Sequence, residues 1–142
     1  MNNPLIYPCI WCDNNGAEMV AFYRSVFKQS ALLDQNELAL SFELNGTRFM
    51  VLNGGPRYKP TPAISFVVSC ESQEEIDYYW DRLGNTGRYE QCGWLTDQFG
   101  VSWQIVPAIL PKLLDDQKRQ PAVFAALMKM TKLNIKELMD AV

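Results

Sequence analysis

One order of elements occurs twice in this chain, and it constrains the fold more than any other feature. In the first half, Leu5 to Trp11 is a short apolar run that reads as a buried strand. Asp13-Asn14-Asn15-Gly16 signals a turn and a helix start. From Ala17 to Phe27, Met19, Val20, Phe22, Tyr23, Val26 and Phe27 recur at helical spacing. Ala31–Leu33 and Leu38–Leu44 read as strands, and Asn45-Gly46 is a hairpin signal that turns the chain into Thr47–Leu52. Asn53 to Pro60 is then a loop rich in breakers, after which the pattern restarts. Ala63–Val68 is a strand, and a helix runs from Glu71-Ser72 to Leu83 with Ile76, Tyr79, Trp80 and Leu83 on its apolar face. Strands follow at Arg88–Gln91, Trp94–Thr96 and Val101–Val106, the last preceded by the turn Asp97–Gly100.

The two halves also align residue by residue. Glu18, Phe22, Tyr23 and Phe27 match Glu74, Tyr78, Tyr79 and Leu83 at one offset. Gly46, Phe49, Val51 and Leu52 match Gly100, Trp103, Ile105 and Val106 at a nearly equal one. An internal repeat of strand, helix and three strands is expected. Pro107 to Val142 reads as a helical tail: Pro121 suits a first helical turn, and Asn134 with Glu137 suits a capping box. The expected organisation is a single domain over 1–142, with module one at about 4–53, module two at about 62–107 and the tail at 108–142.

Composition removes several classes of function. The chain has 142 residues and no histidine, so histidine-ligated metals and serine–histidine chemistry are excluded. A net charge of −3 argues against a nucleic-acid surface. No apolar run is long enough to span a bilayer, and Met1-Asn2-Asn3-Pro4 lacks the regions of a signal peptide, so a cytoplasmic location is expected. The cysteines are Cys9, Cys12, Cys70 and Cys92. Cys9 and Cys12 fall three apart on a strand and so face opposite sides, which suits neither a zinc site nor a redox pair. Cys92 has no histidine to activate it, and Asp97 is expected to cap its turn rather than act as a base.

The unit resembles the βαβββ module of the vicinal oxygen chelate superfamily, which includes glyoxalase I, extradiol dioxygenases and bleomycin-binding proteins. Phe22-Tyr-Arg-Ser-Val-Phe27, Leu52-Asn-Gly-Gly-Pro56, Ala63-Ile-Ser-Phe-Val-Val68 and Tyr79-Trp80 carry the likeness. So, above all, does the long segment from Gln91-Cys-Gly-Trp-Leu-Thr-Asp to Pro107. These are similar to the PhnB-like branch, which often carries a demethylubiquinone methyltransferase label. The resemblance implies an α+β fold in which two βαβββ modules form a curved mixed sheet around a central cleft. It also implies a divalent metal held by His, Gln or Glu from the first and last strands of each module.

Those ligand positions fall at Tyr7, Met50, Ala63 and Gln104, within a residue or two on the first strands. The set offers no imidazole or carboxylate, and a thioether is too soft for magnesium or manganese. No metal and no cofactor are therefore expected. Strand alternation gives the expected cleft lining: Tyr7, Cys9 and Trp11; Met50 and Leu52; Ala63 and Ser65; Ser102 and Gln104. An apolar pocket with few polar anchors suits a small ligand, and a filled core suits the same residues. Gln104 is the candidate polar anchor, bonded either to Ser102 or to a ligand. Arg57 and Lys59 are candidates to hold an anion, or are simply linker; Trp94 either closes over a ligand or belongs to the core.

The function expected is metal-free binding of a small molecule, by a homodimer to which the tail contributes. The alternatives are an isomerase, lyase or dioxygenase type of enzyme, for which no paired carboxylates are visible, and a methyltransferase. The last would need a glycine-rich loop between a strand and a helix, a context that Gly54-Gly55 lacks.

Overall fold

A computed structural model describes residues 4–142. The Met1–Asn3 opening, read above for export, lies outside the described residues. The chain divides into two compact units, one ending at Pro60 and one beginning at Thr61. The fold is α+β, with one four-stranded mixed sheet in each unit.

Module one contains β1 (Cys9–Cys12), α1 (Gly16–Val26), β2 (Ser30–Gln35), β3 (Ala39–Leu44) and β4 (Thr47–Asn53). The strand order is β1-β4-β3-β2, with β1 parallel to β4 and the other pairs antiparallel. The β3–β4 hairpin turns on Asn45 and Gly46, whose φ values of 52° and 85° are both left-handed. A two-residue turn of this kind matches the strand twist, and it explains why Asn-Gly occupies it. α1 buries Met19, Val20, Tyr23 and Val26, a single stripe of the helix. The Tyr23 ring stacks on Phe42 at 6.3 Å, and Phe42 on Phe49 at 5.6 Å. Residues opposite one another in register share a face. α1 thus covers the face bearing Phe42 and Phe49, together with Leu40, Val51 and Ile10. The other face, with Cys9, Trp11, Ser41, Met50 and Leu52, has no helix of its own module upon it.

β1 begins at Cys9, later than the expected Leu5, and Leu5 and Ile6 are exposed. Pro8 has no N–H to give to a ladder, which stops the strand there. Its carbonyl still accepts from Met50 N at 2.9 Å.

Module two contains β5 (Ser65–Cys70), α2 (Gln73–Gly84), β6 (Arg88–Tyr89), β7 (Trp94–Thr96) and β8 (Ser102–Pro107), in the order β5-β8-β7-β6. β5 is parallel to β8 and the remaining pairs are antiparallel. Ser72 caps α2, its hydroxyl accepting from Glu75 N at 3.2 Å. On α2, Ile76, Trp80 and Leu83 are buried, and the Trp80 ring stacks on Tyr89 at 4.7 Å. Tyr89, Leu95, Trp103 and Phe66 form one row across the sheet, so this is the face α2 covers. Ser65, Ser102 and Thr96, with Val67, Gln104 and Trp94, lie on the helix-free face. β5 starts at Ser65, not at Ala63, which lies in an exposed turn with its N–H on Thr61 Oγ1 at 3.3 Å. β6 stops at Tyr89, short of the expected Gln91, because Gln91 O closes a tight turn with Trp94 N at 3.1 Å.

The tail forms α3 (Leu110–Asp115), α4 (Gln120–Leu127) and α5 (Ile135–Asp140). Its core is Leu110, Leu113, Val123, Met130, Leu133 and Leu138. Asn134 caps α5 as its spacing to Glu137 suggests, accepting from Glu137 N at 2.9 Å. Several links tie the tail to module two, among them the Lys132–Asp77 ion pair at 2.9 Å. Gln73 accepts from Ile135 N at 2.9 Å and donates to Leu133 O at 3.0 Å. Cys92 N and Gly93 N donate to Met130 O and Thr131 O, both at 2.8 Å. No described helix is long and apolar enough to cross a membrane.

Candidate functional site

The two helix-free faces carry most of the residues that the sequence singles out. On module one, Cys9, Met50 and Ser41 lie in register across β1, β4 and β3, and Trp11, Leu52 and Ala39 form the next row. Cys9 is exposed, Met50, Leu52 and Trp11 are half-buried, and Ser41 is buried. Partial burial raises the Cys9 thiol above its ordinary pKa, with Cys12 adding to it. A protonated thiol is a poor nucleophile and a poor metal ligand. Tyr7 precedes β1, and the Arg48 guanidinium lies 4.4 Å above its ring centre. Trp11 is engaged by the loop that follows β4: its indole N–H donates to Gly55 O at 2.8 Å, and the Tyr58 ring meets it edge-on at 4.9 Å. A Cβ on Gly54 would stand 2.3 Å from the indole, so glycine is required for this approach.

On module two, Ser65, Ser102 and Thr96 form one row of hydroxyls across β5, β8 and β7. The neighbouring row is Val67, Gln104 and Trp94. Gln104 Nε2 donates to Ser65 Oγ at 2.9 Å. The expected protein partner was Ser102; the amide instead reaches diagonally to the adjacent strand. Ser102 is 2% exposed, and its hydroxyl has no hydrogen-bond partner among the described residues. Buried hydroxyls are normally paired, so this is the one polar atom of the face that calls for an explanation.

Met50 and Gln104 lie at corresponding places, each in the parallel ladder between the first and last strands of its module. In those ladders Met50 stands beside Cys9, and Gln104 beside Val67. Tyr7, two residues before Cys9, corresponds to Ser65, two residues before Val67. Ala63 falls before β5 and off the sheet face. Module one therefore offers a phenol, a thioether and a neutral thiol; module two offers a hydroxyl and an amide. Neither half supplies a carboxylate or imidazole, and this donor chemistry does not fit a hard divalent metal. Among the described residues no three of His, Cys, Asp and Glu gather as a metal site.

Arg57 and Lys59 are exposed in the loop after β4, and the Arg57 guanidinium lies 5.2 Å from the Tyr58 ring centre. Asp97 is buried and serves its turn: Oδ1 accepts from Phe99 N at 2.8 Å and Val101 N at 3.1 Å, and Oδ2 from the Trp103 indole at 2.9 Å. Two surface depressions of about 550 Å³ each were not anticipated. One adjoins Ser72, Gln73 and Asn134, and the other adjoins Ala122, Ala126 and Lys129. Both depend on how the tail packs, for which the sequence carries no signal.

The geometry can be set beside known proteins. A family model described as 3-demethylubiquinone-9 3-methyltransferase matches residues 4–106, both modules without the tail. A PhnB protein from Bacillus cereus, described as a putative 3-demethylubiquinone-9 3-methyltransferase, is 29% identical with a TM-score of 0.68. The match covers 74% of this chain and 100% of that one. A protein from Pseudomonas aeruginosa, 15% identical, has a TM-score of 0.62 over 74% of this chain and 98% of its own. The fosfomycin resistance protein FosX from Listeria monocytogenes, solved with Mn(II) and sulfate, is 16% identical with a TM-score of 0.57. That match covers 81% of this chain and 98% of FosX, and at such identities the likeness is one of fold. No protein of the curated set matches.

Proposed function

We propose, from the premise that the chain belongs to the 3-demethylubiquinone-9 3-methyltransferase family, the PhnB-like branch of the vicinal oxygen chelate superfamily, that it binds a small molecule without a metal. The observation that carries this reading is the helix-free face of module two. There an amide half-open to solvent stands beside a buried hydroxyl that lacks a partner. A polar anchor among apolar neighbours is how small-ligand sites are usually built. On module one, Cys9, Trp11, Met50 and Leu52 supply a second surface, soft and apolar, with no hard donor.

The reading is tested by soaking crystals with small aromatic compounds. Density against Gln104 or Met50 is the expected result. Helix-free faces wholly plugged by side chains would sink it. Stoichiometric divalent metal in protein purified without chelators would overturn the metal-free part.

A methyltransferase reading of the family description receives no support from the loop chemistry. Gly54-Gly55 does follow a strand, but a turn and extended chain come next, then β5 rather than a helix whose N-terminus would face a cofactor. For an enzyme of another kind, Gln104 would polarise a carbonyl, so Gln104→Ala would abolish the activity. We further propose a homodimer, supported by the exposed apolar side chains of Phe124 and Met128 on and beside α4. Light scattering at two concentrations tests it; a monomer at both would reject it.

A further inference from the structure

We infer that the site on module two selects an uncharged ligand carrying a hydroxyl or carbonyl on a planar apolar body. This rests on the binding reading above and specifies the ligand class. Three observations carry it. The first is electrostatic. The inner strands β5, β7 and β8 present Ser65, Val67, Trp94, Thr96, Ser102 and Gln104 on the helix-free face, none of them charged. The nearest charge in register is Arg88, on the edge strand β6, and it is tied to Glu90 at 2.5 Å. An anion or cation placed over Ser102 would lose its hydration with no opposite charge to replace it.

The second is the hydrogen-bonding inventory. Ser102 Oγ has one donor and two acceptor positions, all unused among the described residues. Gln104 commits one N–H to Ser65 and leaves its carbonyl oxygen and second N–H. The Ser102 hydroxyl and the Gln104 amide each offer both a donor and an acceptor, which suits a neutral hydroxyl or carbonyl.

The third is shape. Trp94 is the register partner of Gln104 on β7, and its half-buried indole gives a flat apolar surface next to the polar pair. The tail binds the backbone of the preceding Cys92 and Gly93, which fixes the turn that leads into Trp94. Val67 flanks Gln104 on the other side and is 58% exposed. A planar ring lying against Trp94 would bring a substituent to Gln104 and Ser102.

The test uses three probes of one shape on the full chain: 2-naphthol, naphthalene and 2-naphthoate at neutral pH. Binding is read from amide and Gln104 side-chain resonances and from tryptophan fluorescence. 2-Naphthol is expected to bind about 5- to 10-fold more tightly than naphthalene, the worth of one hydrogen bond made in a buried site. It should bind more tightly still relative to 2-naphthoate. Ser102→Ala should bring 2-naphthol down to the naphthalene level and leave naphthalene unchanged.

If 2-naphthoate shifts the same resonances at equal or lower concentration than 2-naphthol, the neutral-ligand inference falls while small-molecule binding at the face stands. If Ser102→Ala weakens naphthalene as much as 2-naphthol, the hydrogen-bond assignment falls. If no probe perturbs Trp94, Ser102 or Gln104 up to its solubility limit, the binding reading itself is overturned.

Discussion

The hairpins β3–β4 and β7–β8 hold the same place in their modules but are closed by different chemistry. In module one the closure is local: Asn45 and Gly46 adopt the left-handed backbone that a two-residue turn needs. In module two Gly100 is left-handed as well, at φ 87°, and a buried carboxylate is added to the closure. Asp97 gathers two backbone N–H groups of its own turn and the indole N–H of Trp103, six residues on. The first device depends on backbone conformation, and the second adds to it a charged acceptor whose removal takes the partner from three donors. The same topology thus tolerates a cheap turn in one half and a tightly committed one in the other. The helix-free faces differ in the same spirit. Cys9 and Met50 make one soft, while Ser65, Ser102 and Gln104 make the other hydrogen-bonding.

The largest effect expected from breaking this comparison is at Asp97. Asp97→Ala leaves the Phe99, Val101 and Trp103 donors without their acceptor in a buried place. Charge-assisted bonds and stranded donors together imply a loss of about 4 kcal/mol. Urea unfolding would report it. A loss near 1 kcal/mol would mean that water reaches the turn and that the two hairpins are alike in kind.

The next largest effect is a pH dependence, and it contrasts the cysteines that end the first strand of each module. Burial pushes the Cys70 thiol up to about 12, with Glu75 adding to the shift. Cys12 is raised by burial too, but N–H groups of Asn15 and Asn14 act in the opposite direction. With a raised folded pKa, the unfolded chain releases its thiol proton first. Stability is therefore full below the ordinary thiol value and falls as pH rises from about 9 towards 12. Each pH unit in that window costs up to about 1.4 kcal/mol from one such group. Unfolding of the wild type against Cys70→Ala from pH 9 to 11 isolates the contribution as a difference in slope. Equal slopes would show that the Cys70 thiolate is not excluded from its site.

Much of this architecture was legible in the sequence because it is written in local signals. Helical spacing of Met19, Tyr23 and Val26 gave α1, Asn45-Gly46 gave the first hairpin, and Asn134 with Glu137 gave the start of α5. Less legible was anything decided across strands. Ala63 and Ile64 are apolar and read as strand, but the parallel ladder opens only where Ser65 meets Ser102. The diagonal bond from Gln104 to Ser65 depends on that register and joins residues far apart in the chain. Asp97 was readable as the cap of its own turn, which it is for Phe99 and Val101, but its third donor was not, since Trp103 reaches it from the next strand. The chemical character of the site was readable from residue types; which of them touch was not.

A smaller effect is expected at the module-one turn. Asn45→Ala keeps the hairpin but puts an ordinary side chain at a φ of 52°, at a cost of about 1 kcal/mol. The measurement sharpens the contrast with Asp97: a loss as large as the Asp97→Ala value would show that the Asn45 side chain does more than permit the backbone.

The smallest expected effect has the opposite sign. Ser102→Ala removes a buried hydroxyl that has no partner among the described residues, so the folded state sheds an unsatisfied polar group. The expected outcome is a gain of about 0.5 kcal/mol, read as a higher urea midpoint at unchanged slope. The same substitution is expected to weaken 2-naphthol binding. A gain in stability together with weaker 2-naphthol binding would mark Ser102 as a binding residue, since binding sites are where local rules of stability are broken. Loss of stability instead, by 1 kcal/mol or more, would reveal a structural partner for the hydroxyl. The helix-free face of module two would then be as self-contained as an ordinary core, and the distinction between it and module one would no longer bear on binding.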